Sequence, residues 1–82
     1  GDTVIEEYDV VRIVKLITPN RRFDGTAGII EPPKIGDVGT IVHIVEKTNP
    51  ADTIYIIEKV APSGETIWLA DFQEKEIELL SD

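Results

Sequence analysis

The stretch KIGDVGTIVHIV, residues 34–45, decides the fold of this chain. Gly36 and Gly39 lead into a run rich in β-branched residues, a composition typical of strands. Gly36 is expected to turn the chain at positive φ, with the Asp37 side chain hydrogen-bonded to the turn backbone. Gly39 lies inside the strand pattern, where glycine usually marks a bulge or a close approach by another backbone. The stretch therefore predicts a turn followed by a sharply curled strand.

A phosphate-binding loop is the functional interpretation of the same glycines. Such a loop aims several backbone N–H groups at one anion, usually at the N-terminus of a helix. The residues after Gly39 have the periodicity of a strand, so we favour the structural interpretation. The period of two predicts that Ile41, His43 and Val45 lie on one face of this strand. The opposite face is then expected to carry Val38, Thr40, Val42 and Ile44.

Other strands are predicted from β-branched and alternating composition at residues 8–17, 53–60 and 66–72. Proline and glycine interrupt residues 18–36, which are predicted to form a long loop between the first two strands. Loops of this length are often functional. The end of the chain, residues 73–80, fits a short 3₁₀ turn followed by a strand, with a helical turn as the alternative.

Short strands joined by tight turns predict an all-β fold. With 82 residues, the chain is expected to form one domain. We predict a small five-stranded barrel over residues 8–80, preceded by an N-terminal extension of residues 1–7.

The segment GDVGTIVHI, residues 36–44, resembles the G-D-x-G-x-V core of Src-homology-3-like (SH3-like) barrels, including the KOW-type domains of ribosomal and transcription factors. Together with YDVV, YIIE and SGETIWL, in the same order, it resembles a small bacterial family catalogued as domain of unknown function 4926. This resemblance covers residues 8–80 and implies an SH3-like barrel. It transfers no catalytic residue, because the family's activity is undefined. The segment from Asn20 to Pro33 looks inserted, and Lys59 stands where an aromatic residue is common.

Composition limits the location and the chemistry of the protein. The chain has no cysteine, which fits a reducing compartment, and we expect a cytoplasmic location. No apolar run is long enough to span a membrane and no leader pattern precedes the domain, so neither a membrane nor secretion is expected. His43 has no second histidine or cysteine to complete a metal site and is expected at the rim of its strand. We expect no enzyme activity and no cofactor.

The net charge is −8, and the excess acid lies at the two ends of the chain. Residues 1–9 carry Asp2, Glu6, Glu7 and Asp9 without a base, and residues 71–82 carry five acids and one lysine. The simple interpretation is solubility. The alternative is an acidic face for a basic partner, formed where the first and last strands run side by side. Glu76 and Glu78 are its candidate contact residues.

The segment NRRF places Arg21 and Arg22 beside Phe23 and raises the possibility of nucleic-acid binding. The same arginines could instead fix the loop to the acidic ends of the barrel. A neutral middle between acidic ends is a poor scaffold for phosphate contacts, so we expect nucleic-acid binding to be absent.

A protein partner is the remaining hypothesis, because small barrels present loops as binding sites and arginine and aromatic residues are enriched at interfaces. Ile29 and Ile30 either pack back onto the barrel or form an exposed patch, and Trp68 is either a core residue or a ligand platform. We interpret the chain as a bacterial accessory protein that acts as a protein-interaction module. One subtype is an immunity- or antitoxin-like inhibitor that masks a basic active site; the alternative is a KOW-like nucleic-acid-binding domain.

Overall fold

The computed structural model describes residues 4–80, and its architecture is all-β. Six antiparallel strands form one sheet in the order β2-β5-β4-β3-β1-β6. Within the described residues β2 and β6 do not pair with each other, so the sheet is open. The strands are β1 Val10–Ile13, β2 Phe23–Asp24, β3 Val38–Val45, β4 Ile54–Val60, β5 Thr66–Phe72 and β6 Ile77–Leu79, with 3₁₀ turns at Pro50–Asp52 and Glu74–Glu76.

The five predicted strands are all present. The prediction for the end of the chain is confirmed in its first form, because a 3₁₀ turn leads into β6. β6 pairs with β1, so the first and last strands do run side by side. The sixth strand, β2, lies within the predicted long loop and pairs Phe23 with Ala70 of β5. None of the helical segments in residues 4–80 has the length and apolar composition that crossing a membrane requires.

The first strand is shorter than predicted. β1 ends at Ile13, whose backbone N–H donates to the Asp37 carbonyl at 2.8 Å and whose carbonyl accepts from Gly36 N at 2.7 Å. Beyond this point the backbone N–H groups of Val14 and Lys15 donate to the carbonyl of Glu76, at 2.8 and 3.3 Å. The chain therefore leaves the β1–β3 ladder and bonds to the turn before β6, instead of continuing as a strand through residue 17.

The strict alternation predicted for β3 is wrong, because the strand contains a bulge. Ile41 pairs with Ile57 and His43 pairs with Ile56, so Val42 is the extra residue between them. The bulge moves Ile44 to the core side, where it packs against the buried cluster as Ile41 does. A bulge leaves no mark in the alternating sequence pattern, so the sequence alone does not predict it. The inserted residue moves every later side chain of the strand to the opposite face.

The two glycine predictions are confirmed. Gly36 has φ +97°, and the Asp37 carboxylate accepts a hydrogen bond from the Lys34 backbone N–H at 3.0 Å. Gly39 marks a close approach: a Cβ there would lie 2.7 Å from Ile57 Cγ2 and 2.8 Å from the Glu58 carbonyl oxygen. β3 and β4 can therefore approach this closely only because residue 39 has no side chain.

The core lies on the inner face of β3, β4 and β5, together with β1 and β6. Trp68 is fully buried and its ring centroid is 5.5 Å from that of Phe72. Trp68 is thus a core residue, and its proposed use as a contact for a partner is wrong, because its ring is enclosed. The remaining buried apolar residues are Val11, Ile13, Ile41, Tyr55, Ile57, Ala70 and Ile77.

Candidate interaction site

Glu76 is a buried structural carboxylate. Its side chain is 0% exposed, so the prediction that it contacts a partner from the surface is wrong. Oε1 accepts a hydrogen bond from Gln73 N at 2.9 Å, and Oε2 accepts from Ile17 N at 3.0 Å and from Arg21 Nη2. Burial alone would raise the pKa of Glu76, but these donors outweigh it and hold the pKa below its usual value. Glu76 therefore fixes the segment after β1 to the turn before β6.

The two arginines of the NRRF segment have different roles. Arg21 is 9% exposed, and its guanidinium lies over the Phe72 ring with Cζ 4.2 Å from the centroid. This confirms, for Arg21, the alternative that the loop is fixed to an acidic end of the domain. The Arg21 Nη1 atom is buried without a hydrogen-bond partner among the described residues. Arg22 is exposed, so it alone of the two presents its charge to solvent.

Asp37 is the second buried carboxylate of the fold. Its Oδ1 accepts a hydrogen bond from Lys59 Nζ at 2.9 Å, and its Oδ2 accepts from Trp68 Nε1 at 2.9 Å. Burial raises the pKa of Asp37, but the bonds from Lys59, Trp68 and the Lys34 backbone outweigh it and lower the pKa from its usual value. Lys59 thus serves as the counter-ion of the turn aspartate.

A cleft of about 580 Å³ lies between the segment around β2 and strands β4 and β5. We call it the β2 cleft. Its apolar lining includes Ile54, Ile56 and Leu69, all half-buried. Its charged lining includes the exposed Arg22 and Asp71, which lie opposite each other if the β2–β5 register is continued by one residue. The cleft therefore combines apolar walls with charges of both signs.

A smaller cavity of about 210 Å³ adjoins this cleft and shares four lining residues with it, Thr18, Asn20, Arg21 and Phe23. We call it the side pocket. Leu16, Pro32 and Pro33 line the side pocket and not the cleft. Sequence reasoning selects Arg21 and Phe23 but misses the prolines, whose proximity to Leu16 depends on how the long loop folds back.

The loop that carries Ile29 and Ile30 is tied to β5. Thr26 N donates to the Thr66 carbonyl at 2.9 Å, and Glu31 N donates to the Ile67 carbonyl at 3.1 Å. Ile29 is half-buried, whereas Ile30 remains 40% exposed. The two alternatives are thus divided between the residues: Ile29 packs back in part, and Ile30 stays at the surface.

Acidic side chains from both ends of the chain gather around Glu46. Glu6, Glu7 and Glu46 line one shallow depression beside the exposed ring of Tyr8. The Tyr55 side chain lies near both Glu74 and Glu46; burial first, and then these carboxylates, raise its pKa above 10.0. We call Glu6, Glu7, Glu46 and Glu74 the acidic face. Asp2 and Asp82, counted in the sequence, lie outside the described residues.

Glu78, the other candidate contact residue, is not part of the acidic face, and its carboxylate is paired. It forms an exposed ion pair with Arg12, with Nη1 and Oε1 3.2 Å apart. His43 is exposed, and its Nδ1 is 3.2 Å from a Glu7 carboxylate oxygen. Nowhere in residues 4–80 do three or more histidine, cysteine or acidic side chains converge as metal ligands would.

Comparison with protein-family models, with curated proteins and with solved structures finds no match.

Proposed function

We propose that the chain is a protein-interaction module that binds a basic protein partner through the β2 cleft. The observation that carries this proposal is the lining of the cleft, where half-buried Ile54, Ile56 and Leu69 lie beside the exposed charges of Arg22 and Asp71. Apolar area with arginine at its border is the composition of protein interfaces. The volume of about 580 Å³ is also in the range of sites that accept a ligand or a partner segment.

The charge of the molecule supports a basic partner. The net charge is −8, and the acidic face adds a local concentration of carboxylates. Such a field attracts a cationic partner over long range and speeds association. An inhibitor that covers a basic active site, as immunity proteins and antitoxins do, is the subtype we favour. In this proposal the chain acts in the bacterial cytoplasm, without catalysis and without a cofactor.

The proposal includes a finer description of the fold, an SH3-like barrel of the family catalogued as domain of unknown function 4926. Three features support it: β1 pairs with both β3 and β6, a 3₁₀ turn precedes the last strand, and the G-D-x-G turn opens β3. The domain in this description spans residues 8–80. The preceding segment is tied to it, since Ile5 packs against the core.

Nucleic acid is the less favoured partner. Arg21 is engaged by Glu76, and the one exposed arginine of the NRRF segment, Arg22, lies near Asp71. Phosphate binding needs several free cations along one surface. We therefore expect no saturable binding when labelled single-stranded and duplex oligonucleotides are titrated at low salt. A tight complex that weakens steeply with added salt would favour the nucleic-acid alternative.

Site-specific photo-crosslinking tests the proposal. A photoreactive amino acid replaces Arg22 in the cleft, and in the matched control it replaces Glu65, an exposed residue of the loop between β4 and β5. After irradiation in the native host, we expect a basic protein to be joined to the chain at position 22 and not at position 65. Equal capture at the two positions, or capture of acidic proteins, would contradict a basic partner in the cleft.

A further inference from the structure

The Arg21 guanidinium has a donor that the fold leaves unused. Nη2 donates to Glu76, whereas Nη1 is buried and has no acceptor in the described part of the chain. Buried donors are almost always satisfied, so an unsatisfied one in a nine-tenths buried side chain needs a physical reason. An acceptor that arrives with a partner is such a reason.

Arg21 lines both the β2 cleft and the side pocket, and we assign the approach of that acceptor to the side pocket. Arg21 forms part of its wall and is the only charged residue among those that line it. The other lining residues are the apolar Leu16, Phe23, Pro32 and Pro33 and the polar, uncharged Thr18 and Asn20. A volume of about 210 Å³ admits one side chain and its peptide group rather than a folded element.

The charge balance selects the class of acceptor. The Arg21 charge is already compensated by Glu76, so an anion would bring an uncompensated charge into a partly buried site of an acidic protein. A neutral carbonyl oxygen accepts from Nη1 without that cost. Because Phe72 covers one face of the guanidinium, the acceptor must approach in the guanidinium plane, along the N–H bonds of Nη1.

We propose that the side pocket takes an apolar residue of the protein partner, whose main-chain carbonyl oxygen accepts a hydrogen bond from Arg21 Nη1. The aliphatic or aromatic side chain of that residue packs between Leu16 and the two prolines. This inference rests on the proposed function, since it names the anchor residue of the same partner. It adds a requirement that the β2 cleft alone does not impose: the anchor is neutral and apolar, although the partner as a whole is basic.

A small probe tests the pocket without the partner. N-acetyl-leucine N-methylamide, a neutral capped residue, is titrated into the isotope-labelled protein, and sodium acetate is titrated in parallel. Amide and guanidinium resonances are followed by NMR. With the capped residue we expect saturable shifts at Leu16, which lines the side pocket alone, and at the Arg21 guanidinium, without comparable shifts at Ile56 and Asp71 of the β2 cleft. Acetate should bind at least tenfold more weakly. Tighter binding of acetate, or no saturable shift with the capped residue, would overturn the proposal.

Two variants distinguish a loss of probe binding caused by blocking the side pocket from one caused by unfolding. Arg21→Lys would also disturb Glu76, so the blocking variant is Thr18→Trp, in which an exposed residue of the wall is enlarged. The matched control is Thr48→Trp, which enlarges an exposed residue before the Pro50–Asp52 turn, outside the pocket. We expect Thr18→Trp to abolish probe binding with an unchanged urea midpoint, and Thr48→Trp to retain it. Retained binding in Thr18→Trp would overturn the proposal.

The outcomes of the two tests are independent. If the probe binds in the side pocket but no protein is crosslinked at position 22, the proposed function fails and the pocket remains. If a basic protein is crosslinked at position 22 but the capped residue does not bind, the partner uses the β2 cleft without the Arg21 anchor.

Discussion

Arg21 and Glu76 form an ion pair inside the fold, with side chains that are 9% and 0% exposed. The pair joins the segment after β1 to the turn before β6, and the same carboxylate also accepts from the backbone of Ile17 and Gln73. Two charges enclosed in this way depend on each other, because each would be costly to bury alone.

Glu76→Gln is expected to destabilise the protein by about 3 kcal/mol or more, because it leaves the Arg21 charge buried without a counter-ion. Urea unfolding measures the change. The matched control is Glu78→Gln, two residues away, which removes an exposed pair with Arg12 and should cost less than about 0.5 kcal/mol. Similar costs for the two variants would show that Glu76 is not held in the buried pair.

The pH dependence of stability follows from the same carboxylates. The pKa values of Asp37 and Glu76 lie below their usual values of 3.8 and 4.5, so both groups favour the folded state when ionised. Their contribution is fully present above the unfolded pKa values and is lost as pH falls through the folded ones. Urea midpoints should therefore fall steeply below about pH 4. Glu76→Gln should flatten this fall, and an unchanged pH profile in that variant would contradict the assignment.

Several elements can be predicted because their signals are local. The predicted strand Thr66–Phe72 has the boundaries of β5, since alternation and flanking turns define it. Gly36 and Gly39 predict a turn and a close approach, because residues with a Cβ rarely adopt positive φ and leave less room for a neighbouring backbone.

The features that sequence reasoning misses depend on distant contacts. Glu76 stands in a run of charges typical of a surface, but its partner Arg21 is 55 residues away. The two-residue strand β2 has no periodicity of its own and exists because β5 offers an edge beside it. The bulge at Val42 is likewise set by the register of β3 against β4. The β2 cleft and the side pocket arise from these long-range placements.

Gly39→Ala tests the close approach of β3 to β4. Its methyl group would meet the Ile57 side chain and the Glu58 carbonyl oxygen, and backbone cannot move aside cheaply, so we expect a loss of about 3 kcal/mol. Gly36→Ala is the matched control: it has open space around the added methyl group, and its positive φ should cost about 1–2 kcal/mol. Urea midpoints compare the two, and a larger loss in Gly36→Ala would contradict the close approach.

The acidic face should oppose folding at low salt, because Glu46 and Glu74 lie near the same tyrosine, Tyr55. Glu46→Gln with Glu74→Gln removes both charges, and we expect the urea midpoint to rise at low ionic strength. Added salt should shrink the gain, since screening already weakens repulsion between exposed carboxylates in the parent protein.

The pKa of the Tyr55 hydroxyl provides a second measure of the same two substitutions. Its pKa is raised in the folded state, so its contribution to stability is present below the unfolded value of 10.0 and is lost as pH rises through the folded value. The double variant should lower the Tyr55 pKa, measured by ultraviolet absorbance, but not abolish its elevation, because burial is the largest cause. Glu31→Gln with Glu65→Gln makes the same change in net charge at carboxylates that do not affect Tyr55, and should leave its pKa unchanged. If both double variants shift the Tyr55 pKa equally, net charge acts rather than the local cluster, and the acidic face has no special field with which to attract a basic partner.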